Sequence, residues 1–183
     1  MHCWKTINIK HEYGITRLTL WSIIIFVLVF SLSFIIFGYL KPLVYSDDYT
    51  WLFLIILLLL YPIHKLIHYF GLFKYRKNVH FKIKFEFAFI PFIILRLKDL
   101  IPKNRYIIVL LLPFILINVL LGYVAYALPQ YTHYSSILLA YHCSICLMDI
   151  LCVKNLLPAP RNALIEETPK GYEILVPPSV SSL

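Results

Sequence analysis

Four long apolar runs separated by short polar stretches organise the chain, at about 20–40, 51–68, 106–128 and 134–153. Each comes close to the roughly 20 residues that a helix needs to cross a hydrocarbon core about 30 Å thick, so the pattern predicts four transmembrane helices. The first run starts late, runs long and has no small-x-small exit before Lys41, and is expected to stay as a helix rather than leave as a signal peptide. The fourth is the most polar, with His142, Cys143, Cys146, Asp149 and Cys152 along it. Polar and ionisable groups inside a span are costly enough to imply a partner or a task.

Between the second and third runs the period changes. Residues 79–89 alternate strictly, with Phe81, Ile83, Phe85, Phe87 and Phe89 on one face and His80, Lys82, Lys84 and Glu86 on the other. A period of two predicts a half-buried strand, here one lying at the membrane interface. Pro91 ends it or marks an edge, and 92–95 reads as a second strand or a short interfacial piece, so the β segment extends over 79–95. In the tail, 163–167 and 172–176 flank Thr168-Pro-Lys-Gly171, the pattern of a small β-hairpin.

The fold class is therefore mainly α: a polytopic membrane protein with four transmembrane helices, an interfacial β segment after the second helix and a small cytoplasmic β-hairpin tail. Residues 1–19 read as a cytoplasmic lead anchored by Trp4, Tyr13 and basic side chains, 20–156 as the transmembrane domain, and 157–183 as a cytoplasmic tail with a disordered end.

Composition agrees, at 61% hydrophobic and 14% charged residues. Charge orients the chain. Fifteen of the 17 Lys and Arg fall in the lead, the 70–105 segment and 154–183; Lys41, opposed by Asp47 and Asp48, is the only one in the two remaining loops. The bias toward positive cytoplasmic loops then puts both termini in the cytoplasm. The net charge of +8 mostly reflects this topology and does not point to a nucleic-acid partner. The four cysteines fall on the cytoplasmic side or within the membrane, where disulfides are not expected. Cys143-Ser-Ile-Cys146 matches C-x-x-C, but a redox pair belongs at an exposed helix N-terminus.

The candidate chemistry centres on His64 and His68. Four residues apart on a helix, two imidazoles share one face and can meet one metal ion. They can equally be interfacial histidines at a helix end, complementing its dipole. Asp149 adds weight to the metal reading, since two imidazoles and a carboxylate make a zinc ligand set with an open fourth position. Its depth fits: His68 lies six residues before Lys74 and Asp149 five before Lys154, on spans running in the same direction. At about 1.5 Å per residue the groups sit at nearly one level. The alternative is that Asp149 pairs with Lys154 or Lys65. His142, Cys146 and Asp149 form one helical stripe, readable as a thiol-bearing ligand set or as packing residues with an interhelical histidine. Asn118, in the third span, is expected to face protein. Lys65 stands where an H-E-x-x-H enzyme keeps the glutamate that takes a proton, so a base would have to come from elsewhere, Glu86 or Glu12 for instance.

The order of these features resembles a family of bacterial membrane proteins classed as putative zincin peptidases, themselves similar to site-2-protease-type intramembrane metalloproteases. The resemblance runs over about 61–176, on His64, His68, Pro113-Phe114, Asp149-Ile150 and Gly171. It implies a zinc site at His64, His68 and Asp149 and peptide-bond cleavage in or near a bacterial cytoplasmic membrane. It implies too that the 81–89 stretch, with Phe81, Ile83, Phe85 and Phe87, holds a transmembrane or juxtamembrane protein segment as an added strand. The departure at Lys65 leaves three readings open: a zinc peptidase, a protease-like protein that binds without cutting, and an accessory membrane protein.

Overall fold

The apolar runs form the helices. The computed structural model describes residues 1–40, 45–72, 79–87, 90–97, 100–168 and 171–177. Its elements run β1 (His2–Ile7), α1 (Ile9–Tyr13), α2 (Ile15–Leu40), α3 (Thr50–Gly71), β2 (Val79–Phe87), β3 (Ile90–Leu97), β4 (Ile101–Pro102), α4 (Lys103–Ala127), α5 (Thr132–Ile145), α6 (Leu147–Leu156), β5 (Leu164–Thr168) and β6 (Gly171–Val176). Helices α2, α3 and α4 and the nearly continuous α5–α6 are each long and apolar enough to cross a membrane. Their outer faces show Ile35, Leu58 and Val119 to the surroundings, while Thr132, Ser136, His64 and His142 are fully buried. That inversion of the water-soluble pattern suits a bundle whose solvent is lipid.

Small residues let the helices approach closely. Ser144 on α5 donates to the carbonyl of Ser22 on α2 at 3.0 Å. At the end of α3 a Cβ on Gly71 would sit 3.1 Å from a methyl of Val109, so the glycine brings α3 hard against α4. The fourth span is bent at Cys146, where ψ is −9°, between α5 and α6. The i to i−4 bonds continue through the bend, from the N–H of Cys146 to His142 and from that of Ile150 to Cys146.

Two sheets lie outside the bundle. In the first, β2 and β3 pair antiparallel with Phe85 opposite Pro91 and an irregularity at Glu86. Pro91 thus lies inside β3, tolerated because a strand in a two-stranded sheet has an open edge for a residue without an N–H. Of these strands only the backbone is described, so Phe81, Ile83, Phe85 and Phe87 are placed by register alone and Glu86 at the irregularity, while Phe89 lies outside the described residues. The second sheet has the order β1-β6-β5-β4, antiparallel throughout. Its hairpin β5–β6 is the one expected in the tail; Pro169 and Lys170 at its tip, and 178–183, lie outside the described residues. Strands β1 and β4 are additions to the expected pattern. Ile7, Ile101, Ile165 and Ile174, one from each strand, are fully buried, in one core with Leu110, Leu151 and Leu156 of the bundle.

At the opposite end, the α2–α3 connection is tied to the α4–α5 connection and to the first turn of α5. Tyr134 donates to Asp47 at 3.2 Å, and the N–H of Ser46 to the carbonyl of Gln130.

Candidate metal centre

Helix α3 carries both histidines on its buried face, as the i, i+4 spacing requires, while Ile63 just before the pair and Leu66 within it point outward. Nε2 of His64 and Nε2 of His68 are 3.0 Å apart. From α6, Oδ2 of Asp149 comes within 3.1 Å of the first and 3.5 Å of the second. Asp149 lies in the first turn of α6, just after the break at Cys146. His64 is fully buried, and His68 and Asp149 nearly so.

The carboxylate lies within ion-pair distance of both imidazoles. Despite the short separations, Oδ2 of Asp149 is a buried atom with no hydrogen-bond partner. An unpartnered buried carboxylate oxygen costs several kcal/mol, on the order of the penalty for an uncompensated ion. Among the described residues His64, His68 and Asp149 form a group able to hold a metal ion. Bonds of about 2.0–2.2 Å to a tetrahedral zinc ion put its ligand atoms roughly 3.3–3.6 Å apart, close to the three separations seen here. The donor set fits a zinc ion, which would complete the coordination of the orphaned oxygen.

His68 is oriented by a feature of α4. Pro113 has no N–H, so the carbonyl of Val109, four residues earlier, lacks its helical donor. Nδ1 of His68 lies 2.9 Å from that oxygen. A carbonyl only accepts, so Nδ1 carries the hydrogen and a neutral ring keeps its Nε2 lone pair toward His64 and Asp149. The close approach at Gly71, one turn on, lets the ring reach across. This role of a backbone oxygen has one signal in the sequence, the proline four residues later.

Lys65 is half-buried on α3, with Nζ 5.9 Å from the centre of the Tyr61 ring, a cation–π arrangement. No second carboxylate joins the triad among the described residues. Glu12 is exposed on α1. Asn118 faces the interior of the bundle, with Oδ1 2.7 Å from Nδ1 of His142. His142 and Cys146 are fully buried on the far side of the His64 ring from Asp149, Nε2 of His142 lying 3.2 Å from Nδ1 of His64. Sγ of Cys146 is 3.5 Å from Nε2 of His142, and all four cysteines are free thiols.

Comparison with known proteins adds one finding. No curated protein matches the chain, and no solved structure does. A family model described as putative zincin peptidase matches residues 57–164, a stretch that begins within α3, ends at the start of β5 and holds His64, His68 and Asp149. With more than half of its 183 residues matched, the chain belongs to the putative zincin peptidase family.

Proposed function

We propose that the protein binds zinc through His64, His68 and Asp149 and engages polypeptide segments at the membrane without hydrolysing them. The orphaned Oδ2 of Asp149, facing two imidazole nitrogens inside an apolar bundle, carries the metal half of this reading. When bound, such an ion supplies Lewis acidity and acidifies a coordinated water.

The non-cutting half rests on residue 65. Hydrolysis by this arrangement needs a group that accepts a proton next to the metal and returns it to the leaving amine. A lysine ammonium offers three donors and no acceptor. Its Nζ lies over the Tyr61 ring, an arrangement that holds a cation. Losing one acid–base group costs about 10²–10⁴-fold in rate. Binding of a peptide segment is supported by the edge of β2, which pairs with no described strand other than β3. An extended segment can add there by main-chain hydrogen bonds, with Phe81, Ile83, Phe85 and Phe87 alternating along the strand.

Purified full-length protein in detergent should contain one zinc per chain and lose it in His64→Ala. Wild type should leave a model membrane-tethered peptide intact, and Lys65→Glu should cleave it. Absence of stoichiometric metal would sink the metal reading. Wild-type cleavage abolished by His68→Ala would make the protein a working peptidase whose proton is handled by another group.

A further inference from the structure

His64 sends its two ring nitrogens in different directions. Nε2 faces His68 and Asp149, whereas Nδ1 lies 3.2 Å from Nε2 of His142 on α5. His142 in turn sets its Nδ1 2.7 Å from Oδ1 of Asn118 on α4. The chain of contacts crosses three helices, and both imidazoles are fully buried.

The direction of each hydrogen bond follows from its far end. An amide oxygen accepts and never donates, so His142 carries its hydrogen on Nδ1 and, as a neutral ring, offers Nε2 as an acceptor. His64 must then donate from Nδ1, which leaves its Nε2 bare. His68 is set the same way by the carbonyl of Val109. With both rings neutral, the three atoms that face one another, two Nε2 and one carboxylate oxygen, hold no proton between them. Three lone pairs 3.0–3.5 Å apart repel unless a cation joins them.

We propose that His142 and Asn118 are positioning residues, which lock His64 in the one tautomer that presents a bare Nε2 to the metal. The proposal rests on the zinc reading above and assigns the site's outer layer. A competing arrangement uses the same atoms. Sγ of Cys146 lies 3.5 Å from Nε2 of His142 and 3.8 Å from Nδ1 of His64, and these three could themselves hold an ion. That would require the ring hydrogen of His64 to move from Nδ1 to Nε2 and the thiol hydrogen to be lost. The hydrogen-bond chain requires neither change and leaves Asn118, His142 and Nδ1 of His64 all partnered, so it is the arrangement the geometry favours.

Three measurements on the full chain in detergent test it. In zinc-free protein labelled with ¹⁵N-histidine, with signals assigned by His64→Ala and His142→Leu, both rings should carry hydrogen on Nδ1. Chelator competition should then show zinc affinity falling about 10–100-fold in His142→Leu, the range for lost outer-layer partners of metal-bound histidine. His142→Gln, whose amide oxygen can take the same hydrogen bond, should recover most of the loss. Asn118→Asp should bind as wild type and Asn118→Leu weakly. The proposal fails if His142→Leu binds zinc as wild type does, if His142→Gln is as weak as His142→Leu, or if His64 carries its hydrogen on Nε2. It fails too if cobalt titration reaches two ions per chain with a thiolate charge-transfer band that Cys146→Ser removes, since His142 and Cys146 would then be ligands. Protein that binds no zinc would defeat the metal reading alone, because the tautomer spectrum is recorded without metal.

Discussion

Pro113 has no hydrogen to give to the carbonyl of Val109, and His68 uses the oxygen so released. Proline in a spanning helix is common, and its freed carbonyl is often satisfied by a neighbouring helix. Here the satisfying group is a ring whose other nitrogen faces the candidate site. Pro113→Ala should therefore strengthen α4 locally and weaken the site: the restored N–H competes for the oxygen, and zinc affinity is expected to drop up to about tenfold. Circular dichroism and chelator competition on the same sample measure the two effects. At this scale the sequence is informative where chemistry and helical spacing coincide. His64, His68 and Asp149 can be brought together from i, i+4 spacing and membrane depth alone. The Val109 oxygen escapes because a backbone acceptor has no residue type, and only the partner across the helix interface gives it a role.

Helix α6 ends in a contact that the charge pattern conceals. Lys103, one of the basic residues that orient the chain, is 7% exposed and donates from Nζ to the carbonyls of Leu157 and Ala159. Leu157 is the C-cap of α6 and Ala159 lies just beyond it, so the Lys103 cation meets the favourable pole of the helix dipole. Its backbone N–H in turn goes to the carbonyl of Ala163 at 3.0 Å, so the start of α4, the end of α6 and the approach to β5 are joined at one residue. Lys103→Met keeps the aliphatic stem and removes the donors. It should cost about 1.5–3 kcal/mol, as for hydrogen bonds to a charged group, read as a lower thermal midpoint with zinc stoichiometry unchanged. Element boundaries show the same limit of local reading. The four apolar runs locate the four spans, but the bend at Cys146 is invisible in a stretch of uniform helical character. In β1, Ile7 alone of six residues is buried, so no alternation announces the strand.

The second sheet joins the segment before α2 to the segment after α6. Whatever the orientation of the bundle, pairing of β1 with β6 puts those two segments on the same side of a membrane, in agreement with an even number of spans. Gly171 makes the pairing possible. A Cβ there would run into the carbonyl of Ile7, which is backbone and cannot step aside. Gly171→Ala should release β1 while leaving the histidine site intact. Limited proteolysis should then cut near residues 2–9, and zinc affinity should stay at the wild-type value; equal protection of the variant would show that β1 docks by another route. The tail hairpin is legible because its two strands are neighbours in sequence and flank a Pro-Lys-Gly turn. The outer strand is not, because its partner lies more than 160 residues away.

That separation has a meaning in time. Ribosomes make β1 before any of the four spans and β6 after all of them, so the edge strand must wait unpaired through the whole insertion of the bundle. Its partner's backbone exists only once α6 and β5 have been made. Closure of this sheet is consequently a late event in biogenesis, conditional on everything between, and a chain arrested before residue 171 would carry an open strand edge exposed to chaperones and proteases.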